Sequence, residues 1–328
     1  MRPSVRPLSI CVLGGTGFVG TPLCARLIRD GHSVRVLTRN RERAKQLFVL
    51  PGVEVYDANV HEPAVLAQHF RGRDAVINLV GILNESGRSG AGFRHAHAEL
   101  ARKVVAACRS SGVNRLLQIS ALRASETAPS HYLRTKGEAE RIVREESGHV
   151  QWTIFQPSVI YGPNDGFMNR FAGLLALFPA LPLARSGARF APVYVGDVVE
   201  AMVRSLADDH ACGEVFQLCG PETFTLAELV RYVAEVRGQK RLVFGIPDAL
   251  GAAQAFLMDF LPGKPLSTDN FRSLSLDSVC TENGLARLGI QATSLRAVVP
   301  NYLGSKQRNV RLDDFRRAAG DRVDHDAR

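Results

Sequence analysis

The stretch Val12–Gly20, VLGGTGFVG, constrains this chain more than any other. An apolar run, Leu8–Leu13, leads into it, and a helical pattern, Phe18–Asp30, leads out. Glycine stands at Gly14, Gly15, Gly17 and Gly20, which satisfies both G-x-G-x-x-G and G-x-x-G-x-x-G. Glycine permits a tight turn and lets a pyrophosphate approach the backbone. The helix N-terminus that follows offers free N–H groups and a partial positive charge. A plain strand-to-helix turn would also use glycine. Context favours the dinucleotide, because the loop opens a series of βα units.

That series continues through strand-like runs at Ser33–Thr38, Val53–Tyr56, Ala75–Val80, Arg115–Ile119 and Thr153–Phe155. Helical patterns fall between them: a polar stretch from Asn40, then Phe93–Arg109 and Tyr132–Glu146. Strands alternating with helices predict parallel pairing, and their apolar character predicts burial on both faces. The expected fold is α/β: a Rossmann-type doubly wound parallel sheet with a smaller C-terminal α/β lobe. From Pro157 onward, Pro163, Pro179, Pro182 and Pro192 break the chain into short pieces. One helix stands out there. Thr225 and Glu228 form a capping box, and Leu226, Leu229, Val230 and Val233 form its apolar face. The reading divides the chain into a core over 1–156, a smaller lobe over 157–304 that returns to the core, and a flexible charged tail over 305–328.

Composition bounds the partners. Hydrophobic residues make up 45% and charged residues 22%, values that support an ordinary soluble core. The net charge is +9, but its arginines are scattered. It reads as a basic surface, with attraction to anionic lipid or an acidic protein as the sharper alternative. No basic stripe with aromatic interleaving appears, so nucleic acid is not an expected partner. None of the six cysteines forms a C-x-x-C pair, and several sit in apolar runs, where a free cysteine acts as a small hydrophobe. This predicts a reducing compartment and no metal site. No leader-like apolar segment precedes the first strand, and no stretch approaches ~20 apolar residues. The expected location is cytoplasmic, with a peripheral position at the inner face of the membrane left open.

The second strand ends Leu37-Thr38-Arg39-Asn40-Arg41, with no acid where an NAD site usually carries one, about 20 residues after the loop. Arg39 and Arg41 match a 2′-phosphate instead, so NADP(H) is expected over NAD(H). Farther on, YLRTK places Tyr132 and Lys136 four apart, on one helical face. A nearby ammonium favours phenolate and draws a tyrosine pKa down, so that it can trade a proton with a carbonyl or alcohol oxygen. Tyr302 and Lys306 share the spacing, but Gly304 interrupts any helix there. His95 and His97 lie two apart and diverge on a helix. His97 is expected beside the cofactor or as an anchor of its helix, and His131 at the surface. Two uncharged or nearly uncharged stretches, Phe171–Ala184 and Val243–Leu261, admit two readings. They line the core or substrate cleft of the smaller lobe, or they form an apolar mouth for an isoprenoid substrate or a membrane-resting face.

Taken in order, GGTGFVG, NLVG (Asn78 to Gly81), YLRTK, PSVIYGPND, PVYVGDVVEAM and CGPETFTLAEL resemble an extended or atypical short-chain dehydrogenase/reductase, of the NAD-dependent epimerase/dehydratase kind. The resemblance runs from about Ser9 to Leu303. It is strongest to the branch that holds the alpha-subcomplex subunit nine of respiratory complex I and its bacterial relatives. Relatives implicated in ubiquinone biosynthesis are also similar.

The resemblance implies that the loop Gly14, Gly15, Thr16, Gly17, Phe18, Val19 and Gly20 cradles the pyrophosphate, and that Arg39 holds the 2′-phosphate. It puts Asp57 beside the adenine, Asn78 and Gly81 along the cofactor, and Pro157 by the nicotinamide. Lys136 would bond the nicotinamide ribose, and Tyr132 would be the acid/base. Enzymes of the family usually place a serine or threonine just after the fifth strand. Here QISALRAS offers Ser120 and Ser125, with Ala121 and Leu122 between them. Ser120 is the candidate, with a structural serine at the strand end as the alternative. Two functions stay open: a reductase of a carbonyl or quinone-like substrate, or a nucleotide-stabilised accessory or assembly factor for respiratory complex I or ubiquinone biosynthesis.

Overall fold

The computed structural model describes residues 6–261 and 264–304. The charged tail expected over 305–328 lies outside the described residues, as does Lys306. In chain order the principal elements begin with β1 (Ser9–Leu13), α1 (Gly20–Arg29), β2 (Ser33–Thr38), β3 (Val53–Asp57), α2 (Pro63–Phe70) and β4 (Ala75–Asn78). A helix then starts at Ala91–Arg94, passes through a π-helical turn at His95–Glu99 and continues as α3 (Leu100–Ser111). Next come β5 (Arg115–Ile119), α4 (His131–Glu146), β6 (Gln151–Pro157), α5 (Met168–Leu177), β7 (Ala180–Ala184) and α6 (Val195–Leu206). The chain finishes with β8 (Glu214–Leu218), α7 (Leu226–Val236), β9 (Leu242–Ile246), α8 (Asp248–Met258), α9 (Thr268–Ser273) and α10 (Leu295–Leu303).

The central sheet has seven parallel strands in the order β3-β2-β1-β4-β5-β6-β8. The last strand comes from the C-terminal half of the chain. Both faces are covered, and β1 shows how. Ile10 and Val12 join Leu23 and Leu27 of α1 and Val198 and Met202 of α6 in one core. Cys11 and Leu13 join Leu66 and Phe70 of α2, Val104 of α3 and Ile142 of α4 in the other. Alternate side chains leave opposite faces of a strand, so a strand apolar at every position needs helices on both sides. Arg26 of α1 ties the first face together through an ion pair with Glu200 of α6.

A third core belongs to the smaller lobe, around Leu175, Leu181, Phe224, Leu229, Val233 and Val299. The Thr225–Glu228 capping box starts α7 as expected. Tyr302 packs into this lobe and donates to Asp165 at 2.8 Å.

Three local expectations change. The stretch after Asn40 is only a 3₁₀ turn, Arg41–Ala44, which the Asn40 side chain caps by accepting the Glu42 N–H at 2.9 Å. Strand β4 ends at Asn78, whose Oδ1 accepts the Val80 N–H at 3.1 Å and turns the chain. Cys219 and Cys280 are joined in a disulfide, where free cysteines were expected. Sixty-one residues separate them, and the 280–283 segment meets the end of β8 through bonds of Thr281 to Gln217 and of Asn283 to Cys219. Cys11, Cys24 and Cys108 are free and buried, as small hydrophobes. No helix among the described residues is long and apolar enough to cross a membrane.

Candidate active site

The strand order reverses between β1 and β4, the point where doubly wound sheets form their ligand crevice at the carboxyl ends of the strands. The glycine loop leaves β1 at this point. Gly14 has φ +78°, a left-handed conformation, and a Cβ there would stand 3.2 Å from the Leu79 carbonyl carbon. A Cβ on Gly20 would stand 2.3 Å from the Gly14 carbonyl oxygen, so α1 can begin against the loop only with glycine at that place. The N-terminus of α1 has no side-chain cap and no acid in its first turn. Such an end leaves backbone donors open to a phosphate. Beside it lies a depression of about 410 Å³ lined by Thr16, Thr21, Glu42, Lys45 and Leu47. Arg39 is exposed at the end of β2. Arg41 is turned away, its guanidinium over the Phe48 ring at 5.3 Å and its N–H bonded to Asp57 Oδ1 at 2.7 Å. Lys45 at this depression escaped the sequence reading; a cation in the turn after β2 was the available signal. These groups fit a dinucleotide.

Asn78 and Gly81 hold the middle of the crevice. The Asn78 amide donates to Gln118 Oε1 at 2.9 Å, linking the ends of β4 and β5. A Cβ on Gly81 would come within 3.1 Å of Lys136 Nζ, so glycine leaves room for that ammonium. Lys136 is buried on α4 and donates to the Ile119 carbonyl at 3.3 Å. Burial pulls its pKa down to about 8, against the pull of Glu140. Tyr132, one turn earlier on the same face, meets the rings of Phe93 and His97 edge-on at 6.0 and 5.6 Å. No described group bonds its hydroxyl. Burial pushes its pKa up to about 12, so the expectation that Lys136 draws it down is reversed.

His97 sits deeper in this cluster than the sequence reading placed it. Its Nε2 accepts the Ile82 N–H at 3.2 Å, so the ring proton is on Nδ1 and is donated to Thr135 Oγ1 at 2.9 Å. Thr135 donates onward to the Tyr132 carbonyl at 3.1 Å. Burial and the Lys136 charge hold the imidazole neutral, with a pKa of about 2. The π-turn at His95–Glu99 shifts the helix register here, which a 3.6-residue reading cannot foresee. His95, on the other side, stacks on His61 at 3.7 Å and bonds Glu99.

Ser120 does not face the crevice freely. It donates to buried Glu140 Oε1 at 2.5 Å, and Gln156 donates to both oxygens of the same carboxylate. Burial raises the Glu140 pKa, opposed by these bonds and by Arg144. Ser125 is bonded to Thr127, and Ala121 and Leu122 are buried. Pro157, at the end of β6, accepts the Leu122 N–H at 3.0 Å.

The smaller lobe closes one side. Asp269 of α9 accepts the N–H groups of His131 and Tyr132 at 2.6 and 3.0 Å and so caps α4. His131, expected at the surface, is half-buried under this contact and bonded to Arg134. A cavity of about 220 Å³ adjoins it, lined by Glu85, Arg88, Phe93, His131, Lys264 and Asp269 among others. Tyr132 does not line this cavity but adjoins three residues that do: Phe93, His131 and Asp269.

Residues 14–169 match the family model described as NAD(P)H-binding. The chain is 29% identical over 300 residues to the NADH dehydrogenase [ubiquinone] 1 alpha subcomplex subunit 9 of Arabidopsis thaliana, covering 87% of this chain and 74% of that protein. It is also 29% identical over 240 residues to the ceramide reductase of Caulobacter vibrioides, covering 73% and 74%. In fold it resembles the NADPH-dependent quinone oxidoreductase of Escherichia coli solved with NADPH, with a TM-score of 0.71 at 19% identity over 88% of this chain and 97% of that one. The chain therefore carries an NAD(P)H-binding domain, is similar in sequence to complex I alpha-subcomplex subunit 9 and to bacterial reductases, and shares the fold of solved epimerases and reductases.

Proposed function

We propose that this protein is an NADP(H)-dependent reductase of a carbonyl on a lipid-like or quinone-like molecule. The observation that carries the reading is the placement of Tyr132 and Lys136 one turn apart on α4, with the Lys136 ammonium buried against Gly81 and no described partner on the Tyr132 hydroxyl. With pKa values of about 12 and about 8, both groups hold their protons at neutral pH. A carbonyl oxygen that gains an electron pair becomes far more basic than a phenolate, so a protonated phenol is poised to donate to it. The reduced nicotinamide, when bound, supplies the hydride. In this reading Lys136 holds a positive charge near the developing oxyanion and bonds a ribose hydroxyl of the cofactor. His97, neutral and bonded at both nitrogens, keeps Thr135 and the start of α4 in place. Asp57, Asn78, Gly81 and Pro157 line the path from adenine to nicotinamide in this reading. The substrate class is supported by the ceramide named for one relative and the ubiquinone named for another.

Purified protein loaded with NADPH and given a lipid extract from its native membrane should consume the reduced cofactor. Tyr132→Phe should slow that consumption at least about a hundredfold while leaving NADPH affinity near wild type. Equal rates in the two proteins would remove the enzyme reading. The NADP preference rests on exposed Arg39 and on Lys45. Arg39→Ala should weaken NADPH binding about tenfold to a hundredfold and leave NADH binding unchanged, measured by titration calorimetry.

A second reading is favoured by one observation. Ser120 is committed to Glu140, and Ala121 and Leu122 are apolar, so the crevice offers no free serine beside Tyr132. A nucleotide-stabilised accessory or assembly factor for a respiratory or quinone-forming complex needs no such serine. Its mark is a cell in which Tyr132→Phe restores function as well as wild type does.

A further inference from the structure

Among the described residues, the smaller lobe leaves one face uncovered. Thirteen large apolar side chains are exposed among the described residues, and nine of them fall within 177–178, 242–244 and 250–261. Helix α8 is the centre of this face. Only Gly251 and Ala255 are buried, with Gly251 set against Ala184 of β7. Gln254, the one uncharged polar residue of α8, turns inward to the Pro182 carbonyl. Leu250 and Leu257, seven apart, point out together, as do Phe256 and Phe260, whose rings meet at 5.5 Å. Leu257 and Phe260 are 67% and 68% exposed. Of the Val243–Leu261 stretch, Val243 joins the lobe's core and Ala255 a small buried cluster, as one reading of its sequence expected, while its large side chains from Phe244 onward mostly face outward.

The charges around this face are arranged in one sense. Asp248 and Asp259 are matched by Arg185 and Arg88. The Arg88 guanidinium lies over the Phe256 and Phe260 rings at 4.6 and 5.6 Å. Lys264 is bonded to two carbonyls, of Glu85 and Gly87, and Lys240 is exposed just before β9. The result is an apolar face with a basic rim. A protein partner usually makes about one hydrogen bond per 100–200 Å² of interface, and the outward face of α8 offers no side-chain group to make one. Acyl chains ask for none, and anionic headgroups match the rim.

We propose that this face docks on a lipid bilayer that carries anionic headgroups, with α8 lying in the interface plane. The 220 Å³ cavity shares Arg88, Asp259 and Lys264 with the rim and reaches Phe93, which touches Tyr132. Docking would therefore set this cavity, next to Tyr132, at the bilayer surface. The proposal rests on burial and charge and does not depend on reductase activity.

The test is flotation of the full chain with vesicles of phosphatidylcholine alone or mixed with phosphatidylglycerol, without cofactor. The mixed vesicles should carry the protein at low salt, and added salt should release part of it. Leu257→Glu with Phe260→Glu should weaken partitioning at least about tenfold. Both side chains face solvent, and unchanged circular dichroism and melting would show that the variant folds. Val49→Glu, at the most exposed large apolar side chain among the described residues (79%) but outside this lobe, should float like wild type. Tyr132→Phe should also float like wild type, which separates this proposal from the enzymatic one. No flotation at low salt, or flotation that the double substitution leaves intact, overturns docking. A dimer that the double substitution dissolves, without flotation, makes the face a self-interface and overturns it too.

Discussion

Lys136 and Tyr132 set the pH response of the site. Lys136 is protonated below its pKa of about 8 and loses its charge as pH rises through it. The rate of NADPH-dependent reduction should therefore be flat near neutrality and fall above about pH 8. In Lys136→Met that limb should vanish, together with at least about a hundredfold of kcat. A pH–rate profile of the two proteins decides this; a limb that survives in the variant belongs to another group. His97 contributes no limb near 6.5, because its imidazole is neutral down to about 2. The tyrosine–lysine pair was legible because helical spacing alone puts positions four apart on one face. The charge state was not. It depends on burial among Phe93, His97 and Glu140, which arrive from other elements.

Among the elements, the β1–loop–α1 unit is the most fully specified by its own residues. Gly20 illustrates why. Its hydrogen is all that separates α1 from the Gly14 carbonyl. Gly20→Ala should cost about 1–3 kcal/mol through overpacking and should abolish measurable nucleotide affinity, because the helix start must move away from the loop. Denaturant melts with and without NADPH would show both effects, and a stable variant that still binds would refute the cradle. The helix that carries His97 behaves differently. Its apolar periodicity announces a helix over Phe93–Arg109, but the π-turn that sends His97 inward and His95 outward follows from packing against α4.

At the scale of the whole molecule, the smaller lobe reaches the site through Asp269. This carboxylate caps the first turn of α4, where Tyr132 sits, from 137 residues away in sequence. Asp269→Ala should lower stability by about 1–2 kcal/mol, as for a lost cap. It should also lower kcat more than it changes nucleotide affinity, since Tyr132 loses its anchor while the glycine loop does not. Thermal melts and steady-state kinetics check the two parts, and an unchanged kcat would show that the lobe does not position Tyr132. The Cys219–Cys280 disulfide and the contribution of β8 to the main sheet belong to the same scale.

What the residues determined by themselves is what short range can encode. The glycine spacing, the alternation of apolar strands with helices and the Thr225–Glu228 cap each act within a few positions, so the fold class and the nucleotide loop could be read from them. The tertiary structure decided what depends on distant neighbours. It joined Ser120 to Glu140, paired two cysteines 61 residues apart and left α8 uncovered. An apolar helix looks the same in sequence whether it is buried or exposed. Only packing assigns its face, because burial is a property of the surrounding elements and not of the helix itself.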